Sequence, residues 1–316
     1  MNGNDETRAL VTLRVHRFTP RAERNRSRSG SPFAKQSSPF GSSSARRPRG
    51  KQWVQDYELS VLPDTTILDC LLTIKRTRDP SLAFRYSCGH GMCGSDAVAV
   101  NGTPTLLCTA KVKDWATPDR QAAIDDDGFR KTAIDDDGFR KTASADDASA
   151  APVQGGNSLG VIELAALPGF PVQRDLIADI DPMLEQIKRL KPYLQASGKL
   201  ATTKDGNVDV FEYLQQPEQL AAYETLSNCI ACGVCEGSCP VFAGGEAFIG
   251  PAALITASRF INDSRDTAAD ARMDAIDTAD GIAACQSVRA CSRQCPRGID
   301  VGEEIWQLIA KVKERQ

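Results

Sequence analysis

The sequence predicts an α+β protein, with a β-rich N-terminal domain at residues 1–178 and a helical C-terminal domain at residues 179–316. Residues 9–18 alternate apolar and polar side chains, as half-buried strands do. From about residue 175 the apolar residues recur with helical spacing instead. All cysteines except Cys70 fall into three groups, and a chain of 316 residues is long enough for two cores.

The composition is that of an ordinary soluble protein, with a net charge of −3 and 25% charged residues. No apolar run approaches the roughly 18 residues that a membrane span needs, and we expect no secretion signal. The 11 cysteines are therefore expected to be reduced. Clustered thiols in a reducing compartment are more often metal ligands than disulfides.

The N-terminal domain is predicted to contain strands on both sides of one helix. Asn101-Gly102 is a strong hairpin signal, and Asp64 or Thr65 is the expected N-cap of the helix, in which Cys70 is a semi-buried apolar residue. The predicted elements are strands at 9–18 and 53–62, a helix at 63–75, and a strand pair within 96–112. This order, with cysteines in one loop, indicates a β-grasp ferredoxin domain of the plant type.

Two insertions are predicted to be disordered, at residues 20–51 and 120–155. The first is rich in Arg, Ser, Gly and Pro, and the second contains the tandem decapeptide AIDDDGFRKT at 123–132 and 133–142. Neither has enough apolar surface to offset the entropy of folding. We expect solvated loops without a chemical role, although the basic segment could contact lipid or a partner.

The C-terminal domain is predicted to be all-α, as in a bacterial-type ferredoxin. Its first helix should begin with Asp181 as cap and Pro182 at the first helical position. Helices are predicted at 181–194, 217–227, 251–262 and 302–314. The cysteines of this domain lie between these helices.

The second cysteine group consists of Cys229, Cys232, Cys235 and Cys239 and has the spacing C-x2-C-x2-C-x3-C-P of bacterial ferredoxins. In two-cluster proteins the fourth cysteine of such a run ligates the other cluster. The third group, CQSVRACSRQCPRG, also ends in Cys-Pro but lacks its middle cysteine, and Val288 stands in that place. Exchange of the terminal cysteines gives one set of four ligands, Cys229, Cys232, Cys235 and Cys295. It leaves a set of three, Cys239, Cys285 and Cys291.

These two sets predict a [4Fe–4S] and a [3Fe–4S] cluster, because valine cannot bind iron. A structural zinc site with four thiolates is the alternative. Two Cys-Pro runs with seven cysteines favour the clusters.

The first group follows the plant-type [2Fe–2S] spacing, with one substitution. Cys88, Cys93 and Cys108 stand at cysteine positions, and Asp96 stands where the third cysteine is usual. A carboxylate has the formal charge of a thiolate and can ligate iron, although it is a harder donor. Cys88-Gly89-His90 resembles only half of a Rieske motif, because no histidine follows near Cys108, so we interpret His90 as a loop residue.

With these motifs the chain resembles the iron–sulfur subunit of succinate dehydrogenase or fumarate reductase. The stretches DPSLAFRYSCGHGMCGSD, LPGFPVQRDLIADIDP and FIGPAALITASRFINDSRD carry the resemblance beyond the cysteines. It implies that Asp96 is a ligand of [2Fe–2S], since some members have aspartate there. It also implies electron transfer between a partner subunit that contains FAD and a quinone in a membrane anchor.

The resemblance further implies a peripheral position on the cytoplasmic face of the cell membrane and no catalytic residue on this chain. The quinone end departs from many succinate dehydrogenases, because CPVFAGGEAFIGP lacks their tryptophan and Gln286 replaces a frequent histidine. Pro240 and Gln286 are therefore only candidate quinone contacts.

Two other functions remain open at this point. One is the iron–sulfur partner of another flavoprotein, of the glycolate-oxidase or heterodisulfide-reductase type, although those usually have two full cysteine runs. The other is an iron–sulfur sensor that binds DNA through residues 20–51. No nucleic-acid partner is expected, because that segment has few aromatic residues among its basic ones.

Overall fold

A five-stranded mixed sheet forms the N-terminal half of the protein. The structure, a computed structural model, describes residues 8–21, 50–118, 158–196, 200–213 and 215–315. The strands are β1 (Ala9–Pro20), β2 (Gly50–Val61), β3 (Ala97–Val100), β4 (Thr103–Leu106) and β5 (Ser158–Ala165), in the spatial order β2-β1-β5-β3-β4. Only β1 and β5 pair in parallel among the strands of this sheet. The α+β prediction is confirmed.

The predicted strand pairs are present in this sheet, and one of its five strands was missed. β1 and β2 pair antiparallel from Ala9↔Val61 to Pro20↔Gly50, so the ends of the predicted insertion at 20–51 are paired backbone. Residues 22–49 of that insertion, and the whole insertion predicted at 120–155, lie outside the described residues. Strand β5, which holds β1 and β3 together, was not predicted from the sequence.

Helix α1 (Ile67–Thr77) packs its apolar face on the sheet, as expected, and buries Cys70 fully rather than partly. Its N-cap is Thr66, whose hydroxyl accepts a hydrogen bond from the backbone N–H of Asp69. The prediction of Asp64 or Thr65 was wrong. The carboxylate of Asp64 instead pairs with the ammonium groups of Lys111 and Lys113.

The C-terminal half is mainly helical. After α2 (Val112–Trp115), the helices are α3 (Asp181–Arg189), α4 (Pro217–Ala221), α5 (Val234–Ser238), α6 (Pro240–Ala243), α7 (Pro251–Ile261), α8 (Ala269–Ile276), α9 (Ala290–Arg293) and α10 (Val301–Arg315). Two hairpins complete the fold, β6 (Val172–Arg174) with β7 (Ile177–Ala178) and β8 (Leu200–Thr202) with β9 (Val208–Tyr213). Neither was predicted from the sequence, and β8–β9 lies within residues 179–316, where only helices were predicted. Short 3₁₀ turns at Thr225–Asn228 and Ile282–Ala284 precede Cys229 and Cys285.

Two helix predictions need correction. Helix α3 ends at Arg189 rather than 194, because Lys191 has φ of +53° and a proline follows it. Its N-cap is Ile180, so Asp181 is the first helical residue and not the cap. The helix predicted at 217–227 is broken into α4 and a 3₁₀ turn.

A small apolar cluster joins the two halves. Leu167 and Phe170 follow β5, Met183 lies on α3, and Ala252 lies on α7, and all four side chains are buried together. This packing places the cysteine loop of the sheet beside the cysteine runs of the helical half. No helix among the described residues has the length and apolar character to cross a membrane.

Candidate metal centres

The loop between α1 and β3 turns its backbone amides toward cysteine sulfurs. The amide of Gly91 donates to Sγ of Cys108 over 3.2 Å, and that of Cys88 lies 3.5 Å from Sγ of Cys93. Gly91 has φ of +78°, a conformation that side chains disfavour. Hydrogen bonds to ligand sulfurs are one of the means by which proteins tune iron–sulfur clusters.

Asp96 lies in the same loop, and only one of its two carboxylate oxygens accepts a hydrogen bond from the described residues. It is 2% exposed, and its Oδ2 accepts a hydrogen bond from the backbone N–H of Cys108 over 2.6 Å. Its Oδ1 is buried and receives no hydrogen bond from the described part of the chain. A buried carboxylate oxygen without a partner is costly, and a metal ion would satisfy it. The geometry therefore fits the predicted ligand role.

The two thiols of this loop and that of Cys108, which follows β4, differ in environment. Hydrogen bonding to the backbone N–H of His90 lowers the pKa of Cys88 to about 7, whereas burial, together with Asp96, raises the pKa of Cys108 to about 12. Cys93 is exposed. His90 is also exposed and its ring nitrogen contacts the carbonyl oxygen of Cys88, as expected of a loop residue. The loop therefore lies at the protein surface.

The first cavity of the helical half lies where the two cysteine runs meet α7 and α10. Its lining includes all four cysteines of the predicted [4Fe–4S] set, Cys229, Cys232, Cys235 and Cys295. Ala231 and Gly233 have φ of +48° and +78°, which lets the run curve around this space. The remaining lining is mostly apolar and includes Ile255 of α7 and Val301 of α10.

The second cavity lies between the third cysteine group and the start of α6. Its lining includes the three cysteines of the other set, Cys239, Cys285 and Cys291. Val288, at the place of the absent cysteine, lines the same cavity and is 50% exposed. Pro240 and Gln286, the candidate quinone contacts, also line it. The structure thus brings the cysteines together in the crossed sets.

Burial keeps most of these thiols protonated until a cation binds. It raises the pKa of Cys232 to about 12 and that of Cys291 to about 11, and the pKa of Cys235 lies well above its usual range. Iron binds thiolates, so its positive charge must offset the free-energy cost of a charged sulfur in a buried place. The seven cysteines line the two cavities in sets of four and three, and a set of three does not supply the four thiolates of a structural zinc site.

Glu236 is a buried side chain of this region that was not predicted from the sequence. It is fully buried, its Oε1 accepts a hydrogen bond from the backbone N–H of Ala252, and its Oε2 lies 2.9 Å from Sγ of Cys235. Burial raises the pKa of this carboxyl group. A glutamate inside a run of cysteines was the available signal. It connects Cys235, a predicted ligand, to the first turn of α7.

The two halves match two known families. Residues 12–185 match the family described as "2Fe-2S iron-sulfur cluster binding domain". Residues 225–299 match the "4Fe-4S dicluster domain". These ranges contain the loop with Asp96 and all seven cysteines that line the two cavities.

Curated relatives extend over most of the chain. The fumarate reductase iron–sulfur subunit of Mycobacterium tuberculosis (strain CDC 1551 / Oshkosh) is 32% identical over 78% of this chain and 80% of its own length. The fumarate reductase iron–sulfur subunit of Escherichia coli O6:H1 is 30% identical, with 82% and 89% covered. The succinate dehydrogenase iron–sulfur subunit of Coxiella burnetii is 31% identical, also with 82% and 89% covered.

Among solved structures, a chain of the Mycobacterium smegmatis Sdh1 complex in the apo form has a similar fold. The TM-score is 0.65 with 21% sequence identity, and the match covers 98% of each chain. At this identity the likeness concerns the fold alone.

Proposed function

The chain belongs to the iron–sulfur subunits of succinate dehydrogenase and fumarate reductase, and on this premise we propose that it relays electrons between a flavoprotein and a membrane quinone through three clusters. The carriers are [2Fe–2S] at Cys88, Cys93, Asp96 and Cys108, [4Fe–4S] in the first cavity, and [3Fe–4S] in the second. The crossed cysteine sets carry the proposal, because each set of a two-cluster ferredoxin motif lines its own cavity.

When bound, the clusters act as one-electron carriers. The chain supplies their ligands and the groups that surround them. Amides in the loop with Asp96 donate hydrogen bonds to sulfur, and the cavities of the helical half have mostly apolar linings. Both features influence reduction potential. In this proposal the flavoprotein that contains FAD carries out the acid–base chemistry on succinate or fumarate.

The second cavity is the proposed exit toward the anchor subunit and its quinone. Two large apolar side chains stand exposed beside it, Val288 at 50% and Trp306 at 56%. The indole N–H of Trp306 donates to Oγ of Ser287, which lines the cavity. Pro240 and Gln286 would lie nearest the quinone. In this proposal the chain lies peripherally on the cytoplasmic face of the membrane, with exposed Cys93 toward the flavoprotein.

The test is stepwise reduction of the anaerobically purified complex, followed by EPR spectroscopy. We expect a three-iron signal in the oxidised sample, and [2Fe–2S] and [4Fe–4S] signals as reduction proceeds. Succinate should reduce part of the centres in the presence of the flavoprotein, and added quinone should reoxidise them. Two four-iron clusters without a three-iron signal would contradict the proposal and favour a heterodisulfide-reductase type of partner.

The substitution Val288→Cys tests the second cavity. It places a fourth thiol at the vacant position, so we expect the three-iron signal to disappear and a second four-iron signal to appear on reduction. Val288→Ala is the matched control, since alanine also cannot bind iron, and it should keep the three-iron signal. An unchanged spectrum in the cysteine variant would place Val288 away from the cluster.

A further inference from the structure

One backbone contact joins the loop with Asp96 to the first cavity. Gly94 lies between the ligands Cys93 and Asp96, and a Cβ atom added to it would lie 2.5 Å from Cβ of Cys232 and 3.0 Å from its Cα. Real Cβ atoms essentially never come as close as 2.5 Å to other heavy atoms. Cys232 is a ligand of the proposed [4Fe–4S] cluster. The ligand loops of two clusters therefore touch through a residue that has no side chain.

The surroundings give this contact particular weight. Beside it the same loops separate and line a space open to solvent, whose lining includes Cys93, Asp96, Ala231 and Cys232. An electron that crossed that space would have to leave packed protein. The route from Cys93 through Gly94 to Cys232 instead consists of covalent bonds and one close contact.

A second contact holds the same loops in register. The guanidinium of Arg297, two residues after the ligand Cys295, donates to the sulfur of Met92 over 3.0 Å, next to Cys93. Arg297 also lines the first cavity. The loops are thus fixed at two points, and of these two only the Gly94 contact involves backbone packed directly against a ligand residue.

We propose that Gly94 is a positioning residue that sets the separation of the [2Fe–2S] and [4Fe–4S] centres and provides the direct route between them. The inference rests on the proposed function. A side chain at position 94 must push the two loops apart, because the opposing atoms belong to the Cys232 main chain and its Cβ, which cannot swing away. Electronic and magnetic coupling both weaken steeply as that separation grows.

Gly94→Ala in the purified complex tests this, with Gly102→Ala as control. Gly94 and Gly102 have φ of +67° and +79°, so both substitutions cause similar backbone strain. Gly102 lies in the β3–β4 turn, and an added Cβ there meets nothing within 4 Å. In the fully reduced complex we expect the [2Fe–2S] signal of Gly94→Ala to saturate at several-fold lower microwave power, with both cluster signals present. The control should saturate as the unmodified complex does.

Equal saturation in Gly94→Ala and Gly102→Ala would overturn the inference. If Gly94→Ala loses [2Fe–2S], the measurement is made on the unmodified complex instead. There the microwave power that saturates the [2Fe–2S] signal should rise several-fold when [4Fe–4S] becomes reduced as well. No change at that step would overturn the inference too. Absent cluster signals in the unmodified complex would contradict the proposed function itself, whereas normal signals without coupling contradict only the role of Gly94.

Discussion

Cys295→Ala is expected to abolish the [4Fe–4S] signal and to reduce electron transfer from succinate to quinone to background. The substitution removes one of the four thiols that line the first cavity, although Cys295 lies far in sequence from the other three. Binding of a metal centre contributes to folding free energy, so the thermal midpoint should fall as well. EPR of the reduced complex, with iron analysis, measures the effect.

The identity of the lost cluster tests the crossed assignment. Cys295→Ala should spare the three-iron signal, and Cys239→Ala should remove it, because Cys239 lines the second cavity. If each run supplied all ligands of its own cluster, the two results would be exchanged. Cys70→Ala is the matched control: this buried thiol packs in α1 among apolar side chains, so all three signals should remain.

Local signals predicted most of the fold. The alternation in β1, the Asn101-Gly102 turn and the apolar stripe of α10 each specify an element within a short stretch. β5 was missed because its pairing partners are remote: it follows the second insertion and lies between β1 and β3. Strand order of this kind depends on contacts between distant residues, which a single sequence does not display.

Helix α8 shows a different reason for a missed element. Its two buried side chains are Arg272 and Ile276, one turn apart, and one of them is charged. The guanidinium of Arg272 donates to the carbonyl oxygen of Leu190 and pairs with Asp266. Buried charge of this type is satisfied by partners elsewhere in the chain. The helix therefore lacks the apolar period by which helices are recognised in a sequence.

The grouping of the cysteines that line the two cavities was predictable because metal sites impose spacing within a short stretch, and the crossed exchange follows from the motif itself. The contact of Gly94 with Cys232 and the burial of Glu236 against Cys235 were not predictable in the same way. Both depend on packing between segments that are distant in sequence. Glycine beside a cysteine has several explanations, and only the position of the opposing loop selects one.

At Asp96 the ligand role predicted from the sequence can be compared directly with the hydrogen bonds of the carboxylate in the structure. Its carboxylate fixes the loop through Oδ2, which accepts from the amide of Cys108, and leaves Oδ1 buried without a hydrogen bond from the described residues. A purely structural aspartate would be expected to satisfy both oxygens. An iron ligand needs one oxygen oriented by the protein and one available to the metal, and this arrangement provides both.

Asp96→Ala is therefore expected to abolish the [2Fe–2S] signal, while Asp96→Cys, which restores the usual thiolate, should retain it with shifted g-values. Electron transfer from the flavoprotein should be lost in the alanine variant, and the [4Fe–4S] and three-iron signals should persist. Ser95→Ala is the neighbouring control: its hydroxyl contacts Sγ of Cys93 over 3.2 Å, so its loss should alter the spectrum without removing the cluster. Full retention of [2Fe–2S] in Asp96→Ala would limit Asp96 to shaping the loop. Loss in both the alanine and the cysteine variants would mean that the site requires the carboxylate oxygen itself, since a thiolate of equal charge would then be unable to replace it.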